Sequence, residues 1–589
     1  MIKLFKYLKP YIWLIIPLVI LTYLQVMANL QLPDYMANII NEGIIGESMD
    51  AIYKNGGIMI LVTLGGGLAA IGVGYLAARI ATGFSRDIRR KVFEKAETFS
   101  VAEFNKFSTA SLITRSTNDI QQIQTVTTMI FRLILMAPFM AIGAMQNAIQ
   151  NAPELSWIIA LSVVALFAVI VLLFIFALPK FKILQKAVDK LNLVARENLT
   201  GLRVVRAFNN EKVEEKKFDK TNDELMKLNL FVNRLMIILQ PFMMLLMNIA
   251  LVAIVWFGAQ LVSDGSVEIG NMMAFMQYAT QVIMSFLMIS IIFIMVPRAS
   301  VSAKRVSEVI DTESTIRDPK DPKKPSKNGH GHIEFRDVTF TYPDADSPVL
   351  SGINFTAEPG QTTAFIGSTG SGKSTLIGLI PRFYDVSAGQ VLIDGVDIRD
   401  LRLTDLYDQI GYVPQKGVLF SGTVKSNITY GNKHATAKDI NQAAKVAQAS
   451  EFIKKLESGI DSNIAQGGSN VSGGQKQRLS IARALAVKPK VYIFDDSFSA
   501  LDFKTDAKLR KALETETKGK TVLIVGQRIS TIMNADKIIV MDEGKIFGQG
   551  THDELMRNNT IYQEIAYSQL SDKELGVAKR TKTSRKEVR

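Results

Sequence analysis

Six long apolar stretches dominate the first half of the chain, near residues 11–33, 57–80, 126–149, 156–179, 234–262 and 270–297. Runs such as IWLIIPLVILTYLQVM and IIALSVVALFAVIVLLFIFAL hold no charge over a length that crosses a bilayer. Each therefore predicts a membrane-spanning helix rather than a buried core helix. The first run is too long for a signal peptide and no small-residue cleavage pattern follows it, so it is expected to stay as a helix. Between spans two and three, and again between four and five, lie mostly polar stretches with helical periodicity. These predict helices continuing into the cytoplasm, with turns expected within 109–119 (TASLITRSTND) and 207–218 (AFNNEKVEEKKF).

After residue 310 the pattern changes. Residues 311–331 are polar and rich in Pro, Lys and Gly, which reads as a linker. Beyond it, short β-rich runs alternate with helical ones: HIEFRDVTFTY, TTAFIG, QVLIDG, KVYIFDD, TVLIVG and KIIVMDEG. That alternation predicts an α/β domain over about 332–568. The boundaries expected are thus a membrane domain at 1–310, the linker at 311–331, the α/β domain at 332–568 and a basic tail at 569–589, read as disordered.

The net charge of +13 invites a nucleic-acid reading, but its placement opposes it. Thirteen Lys or Arg fall between Lys180 and Arg234, and more lie between Arg86 and Arg115. Loops 34–55, 150–155 and 263–269 carry Lys54 as their one basic residue, against seven acids. This asymmetry predicts a multi-pass protein of the cell membrane with both termini in the cytoplasm, and no nucleic-acid partner. The tail Lys579–Arg589 could at most touch anionic lipid. The chain has no cysteine, which excludes disulfides and thiolate metal sites.

Gly367, Ser368, Thr369, Gly370, Ser371, Gly372, Lys373, Ser374 and Thr375 spell a phosphate-binding loop between a strand and a helix. Glycines let backbone N–H groups curl around phosphates, and the helix start adds positive potential. Lys373 is expected on the outer phosphates of ATP and the Ser374 hydroxyl on Mg²⁺. About 120 residues on, VYIFDD is an apolar strand ending in Asp495, a second Mg²⁺ contact through water.

Between them stands NVSGGQKQR, and with it the chain resembles an ATP-binding-cassette (ABC) transporter of the exporter type. VSGGQ is similar to the signature motif LSGGQ, with Val471 for leucine. Tyr342 in FTYPD resembles the aromatic that stacks on adenine, and Gln415 in GYVPQ the glutamine that links nucleotide and metal to the membrane domain. SALD matches the loop that crosses to the partner, and QGGSN the exporter-specific loop, with Gln466 where glutamate is common. The resemblance covers nearly the whole chain. It implies an all-α, six-helix transmembrane domain with long cytoplasmic helical extensions, then an α/β P-loop ATPase with an antiparallel β subdomain and a helical subdomain. It also implies a dimer with composite ATP sites, in which Ser472, Gly473, Gly474 and Gln475 meet the ATP held by the partner.

Two positions depart from the family. A glutamate usually follows the metal aspartate as catalytic base; here it is Asp496, one methylene shorter. A histidine usually stands in the switch that contacts the γ-phosphate; here VGQRIST supplies Gln527, whose amide neither titrates nor carries charge. With phosphate loop and signature kept, the pair implies a degenerate site of weak turnover in one half of a heterodimer. The partner expected is a second, non-identical half-transporter with Glu and His. The cargo is expected to be small, amphipathic or apolar, as in multidrug export. Methionines in spans five and six (Met236, Met243, Met244, Met247, Met272, Met273, Met276, Met284, Met288, Met295) suit an adaptable cavity. A lipid flippase, a peptide exporter and an ATP-gated regulatory subunit that transports nothing are the alternatives.

Overall fold

The computed structural model describes residues 2–326 and 328–570. The tail Lys579–Arg589 and the side chain of Met236 lie outside the described residues. The chain forms two compact units: Met1–Glu97 with Thr109–Thr312, and Thr98–Ser108 with the chain from Glu313.

The first unit is helical: α1 (Ile12–Asn38), α2 (Met49–Ala96), then, past α3 (Val101–Phe107), α4 (Thr109–Thr114), α5 (Ile120–Met129) and α6 (Met136–Asn151). It continues through α7 (Ser156–Thr200), α8 (Leu202–Ala207), α9 (Glu211–Ile237), α10 (Leu239–Ser263) and α11 (Ile269–Asp311). Short π-helical segments, Arg115–Asp119 and Ile130–Ile134, join α4, α5 and α6 into one continuous rod. Among the described residues, six helices are long and apolar enough to cross a membrane. α2, α7 and α11 contain 48, 45 and 43 residues, about twice what the hydrocarbon core needs, so each continues beyond it.

The long helix α1 buries one stripe of its surface. That stripe is Leu18, Thr22, Val26, Leu30, Pro33 and Ala37, at helical spacing. Trp13, Ile20 and Leu24 of the same helix are exposed, as residues facing lipid would be. Pro33 removes one helix N–H, and neighbours hydrogen-bond the carbonyls around it. Gln281 Nε2 donates to Asn29 O at 3.4 Å and Tyr278 Oη to Leu30 O at 2.7 Å.

The chain does not turn within 109–119, as the sequence predicted; that stretch is helical. The turn lies at 97–108, around α3, with Ser108 at φ 57°. The polarity of TASLITRSTND marked solvent exposure, not a break. In the second polar stretch the turn does fall inside the predicted window, after α8, with Asn209 at φ 54°.

The second unit is α/β. A six-stranded sheet has the order β12-β11-β3-β10-β9-β6, comprising Lys545–Gly550, Lys537–Asp542, Thr362–Gly367, Thr521–Val525, Val491–Asp495 and Ile410–Val413. It is parallel except for β12. All five residues of β9 and of β10 are buried, the mark of a sheet covered on both faces. Residues alternate between two cores: Tyr492 and Phe494 enter the one shared with the helical part, Val491 and Ile493 the other.

The second core is closed by an antiparallel sheet, β2-β1-β4-β5, comprising Leu350–Ala357, Ile333–Phe340, Ala388–Ile393 and Val396–Asp397. Helices α12 (Lys373–Leu379) and α13 (Leu403–Tyr407) follow the phosphate loop and the antiparallel sheet. A two-stranded ribbon, β7 (Gly422–Thr423) with β8 (Asn463–Ile464), lies among α14 (Val424–Ile428), α15 (Ala437–Val446), α16 (Ser450–Lys454) and α17 (Gly473–Val487). The described residues close with α18 (Phe503–Glu516), α19 (Ile529–Ile532), α20 (His552–Asn558) and α21 (Thr560–Gln569). Observed and expected classes agree: an all-α six-helix part, then an α/β domain with antiparallel and helical subdomains.

Candidate functional site

Strand β3 delivers the phosphate loop to the start of α12. Gly370 and Gly372 have φ of 88° and 92°, values that glycine adopts without strain. A Cβ at Gly367 would lie 1.9 Å from Met541 O, so neighbouring β11 permits no side chain there. Lys373 is folded over its own loop: Nζ donates to Gly367 O (2.9 Å), Ser368 O (2.7 Å) and Ser371 Oγ (3.1 Å). Burial pulls its pKa down, against the opposing pull of Asp496 and Asp495.

The C-terminal ends of β9 and β10 bring the acids and amides to the same place. Ser374 Oγ donates to Asp495 Oδ1 at 2.8 Å. Asp496 Oδ2 accepts two amides, from Gln527 Nε2 at 2.8 Å and Gln415 Nε2 at 3.3 Å. Asp496 is buried and has φ of 45°, in the left-handed region that aspartate tolerates better than most residues. Its N–H donates to Val525 O at 3.1 Å and Ser499 Oγ to its carbonyl at 2.9 Å, which hold that conformation.

Burial pushes both carboxyls above the usual range. For Asp495 the charge of Asp496 adds to burial, while the Ser374 hydrogen bond opposes it. For Asp496 hydrogen bonds from Gln415 and Ser499 oppose burial first, then the charges of Arg528 and Lys373. These oxygens suit a hard cation. Among the described residues no cluster of three acids stands ready as a metal cage. A Mg²⁺ ion held by Ser374, Asp495 and Gln415 would draw its other ligands from phosphate and water, which is how that ion is usually bound.

Tyr342 Oη and Thr375 Oγ1 are 2.9 Å apart, which brings the ring beside the phosphate loop. The ring of Tyr384 meets it edge-to-face at 5.3 Å. Tyr384 Oη in turn accepts from Asn105 Nδ2 at 3.1 Å, on α3. The same short helix is tied down by Glu103, which is buried and accepts from Ser100 N (2.9 Å), Ser100 Oγ (2.6 Å) and Thr315 N (3.2 Å). Burial pushes Glu103 up, but these hydrogen bonds outweigh it and hold its pKa below the ordinary value.

The signature stands apart. Ser-x-x-Gln is a capping box: Ser472 Oγ accepts from Gln475 N at 3.3 Å, and Gln475 Oε1 from Ser472 N at 2.9 Å. The motif thus opens α17, with Ser472 and Gly473 exposed. Gly474 approaches Ala500 of SALD, where a Cβ would lie 3.3 Å from the carbonyl. Among the described residues no hydrogen bond joins Ser472–Gln475 to the phosphate loop. The structure therefore gathers Tyr342, Lys373, Ser374, Thr375, Gln415, Asp495, Asp496 and Gln527, and leaves the signature on a separate surface. Sequence reasoning missed α3, Tyr384 and Gln569; α3 carries only a short capping box, Ser100 with Glu103, and the other two carry no local motif.

Residues 14–286 match the family model of the ABC transporter transmembrane region, and residues 350–499 the family model described as ABC transporter. An uncharacterized ABC transporter ATP-binding protein of Mycobacterium tuberculosis is 41% identical over 96% of this chain and 97% of its own length. An ATP-dependent lipid A-core flippase of Hahella chejuensis is 32% identical over 97% of each chain. The solved structure of a bacterial Atm1-family ABC exporter with ATP bound superposes with a TM-score of 0.79 at 23% identity, over 98% of this chain and 99% of that one. That likeness concerns the fold. The chain is an ABC exporter half-transporter, a multi-pass membrane domain fused to an ATP-binding cassette whose ATPase is coupled to transport.

Proposed function

We propose that this half-transporter pairs with a non-identical half and exports amphipathic or apolar compounds across the cell membrane, both termini being cytoplasmic. Its own site is degenerate: it binds ATP and turns over slowly. The observation that carries this reading is the convergence of Gln415 and Gln527 on one oxygen of Asp496. A base that orients water must present a free carboxylate oxygen to it. Here the carboxylate is one methylene short, and one of its two oxygens, Oδ2, is engaged by two amides. Phosphoryl transfer depends on positioning, and small misplacements cost on the order of 10²-fold.

In this reading Tyr342 stacks on adenine, and the loop from Gly367 to Thr375 cradles the phosphates. Lys373 leaves its loop oxygens for the outer phosphates, and Gln527 touches the γ-phosphate. Ser374, Asp495 and Gln415 hold Mg²⁺, which neutralises charge on the β- and γ-phosphates. Ser472, Gly473, Gly474 and Gln475 complete the competent site on the partner. The exposed capping box supports that role, because its polar groups are presented outward.

A second reading, lipid flipping, is favoured by relatives named lipid A-core flippase at 32–33% identity. The two separate in vesicles containing this chain, with and without the second half. ATP-driven accumulation of an amphipathic dye, dependent on both halves, is the expected result. ATP-driven transfer of a fluorescent lipid without dye movement would favour the flippase. Movement of neither by the active pair would leave a regulatory subunit.

A further inference from the structure

The last helix of the cassette ends on a side chain that brackets the switch loop. Gln569 is the final residue of α21. Its Nε2 donates to Gln527 O at 2.8 Å, and its Oε1 accepts from Ile529 N at 2.8 Å. One amide thus uses both ends on the backbone groups either side of Arg528. The loop between β10 and α19 has little of its own to fix it. α19 is four residues long, and its N-cap residue Arg528 makes no side-chain capping bond. The first N–H of that helix, ordinarily an orphan, is satisfied from another element.

The bracket stands on a fixed base. Tyr562 and Ala566 of α21 are fully buried. Tyr562 Oη pairs with His552 Nδ1 at 2.7 Å, and Asn559 caps the helix through Tyr562 N at 2.8 Å. On the other side, the Arg528 guanidinium lies over the Phe503 ring at 5.1 Å. Gln527 itself spends its side-chain amide on Asp496. Backbone and side chain of the switch residue are therefore held by different partners, Gln569 and Asp496.

We propose that Gln569 is a positioning residue for the switch: it fixes the backbone of Gln527 so that the Gln527 side chain faces the γ-phosphate position. The proposal rests on the reading of Gln527 as the γ-phosphate contact. Gln569 does not touch nucleotide, so its loss acts through Gln527 and is felt by ligands that carry a γ-phosphate.

The test measures release of a fluorescent, non-hydrolysable ATP analogue and of fluorescent ADP, both with Mg²⁺, from the full-length chain in lipid nanodiscs. Q569A is expected to speed release of the ATP analogue by about fivefold, the share of one hydrogen bond, and to leave ADP release unchanged. Q527A is expected to do the same, and the double variant to add nothing. Q569E keeps an acceptor for Ile529 N–H and loses the donor to Gln527 O; it is expected to show the same selectivity, and serves if Q569A does not accumulate. Equal acceleration of both nucleotides would mean that Gln569 is merely structural, and would overturn the proposal. An effect of Q527A without one of Q569A or Q569E would overturn it too. No effect of Q527A would defeat the switch reading itself.

Discussion

At Asp496 burial outweighs the opposing hydrogen bonds from Gln415 and Ser499 and the charges of Arg528 and Lys373, and leaves its pKa raised. A folded pKa above the unfolded one means that the group's contribution to stability is full at pH below the unfolded value. It is lost as pH rises through the folded value. Asp495 shifts the same way, in part because of Asp496. D496N is therefore expected to raise the nucleotide-free melting temperature at pH 7.5, by about 1–3 °C for a domain this size. That advantage shrinks as pH falls toward 5, and scanning fluorimetry of the full chain across pH checks it. For chemistry, D496E alone is expected to raise turnover at this site only a few-fold, because Gln527 still occupies the switch. D496E with Q527H is expected to exceed the product of the single effects. Full activation by D496E alone, in a turnover assay, would show that the switch is not limiting. The identity of both residues was legible in the sequence, because strand-end motifs fix their place. Their mutual hydrogen bond was not, since 31 residues, with helix α18 and strand β10 among them, separate the two.

The element that local pattern did not announce is α3. Seven residues, VAEFNKF, look like any polar stretch of a long helix, and the sequence places the turn at 109–119, beyond the 97–108 where the chain turns. What makes the turn is Ser100 with Glu103, a capping box that closes on Thr315, more than two hundred residues away. A local motif became decisive only through a distant partner. Glu103 has a lowered pKa, so its contribution is full above the unfolded carboxylate value and is lost as pH falls through the lower, folded value. E103A is expected to cost about 2 kcal/mol, as loss of hydrogen bonds to a buried charged group does. Hydrogen exchange of residues 98–108 is the measurement, and E103Q is expected to show much of the loss while abolishing its pH dependence. The signature is the opposite case. Ser-x-x-Gln closes its capping box within one turn, without a distant partner, and α17 begins there.

At the scale of the molecule, the phosphate loop and the signature keep the family pattern, while Asp496 and Gln527 stand where the family usually has Glu and His. Apolar spans and phosphate-loop spacing are local signals, which is why the six spans and the place of the loop between β3 and α12 could be read from sequence. Which helix face meets cargo depends on rotation and partner, and apolar runs such as 156–179 do not encode it. The division of labour has a testable asymmetry. In the assembled pair, S472A on this chain is expected to lower ATP turnover by about 10²-fold, the cost of losing one preorganised donor to transition-state charge. D496N on the same chain is expected to change it less than about threefold, because the partner's site carries the flux. The most direct measurement of all is steady-state ATP turnover by the purified chain in nanodiscs, alone and beside a second half-transporter bearing the Glu and His. The account predicts that the chain alone runs about 10²-fold or more below the pair; brisk turnover by the chain alone, abolished by D496N, would contradict it.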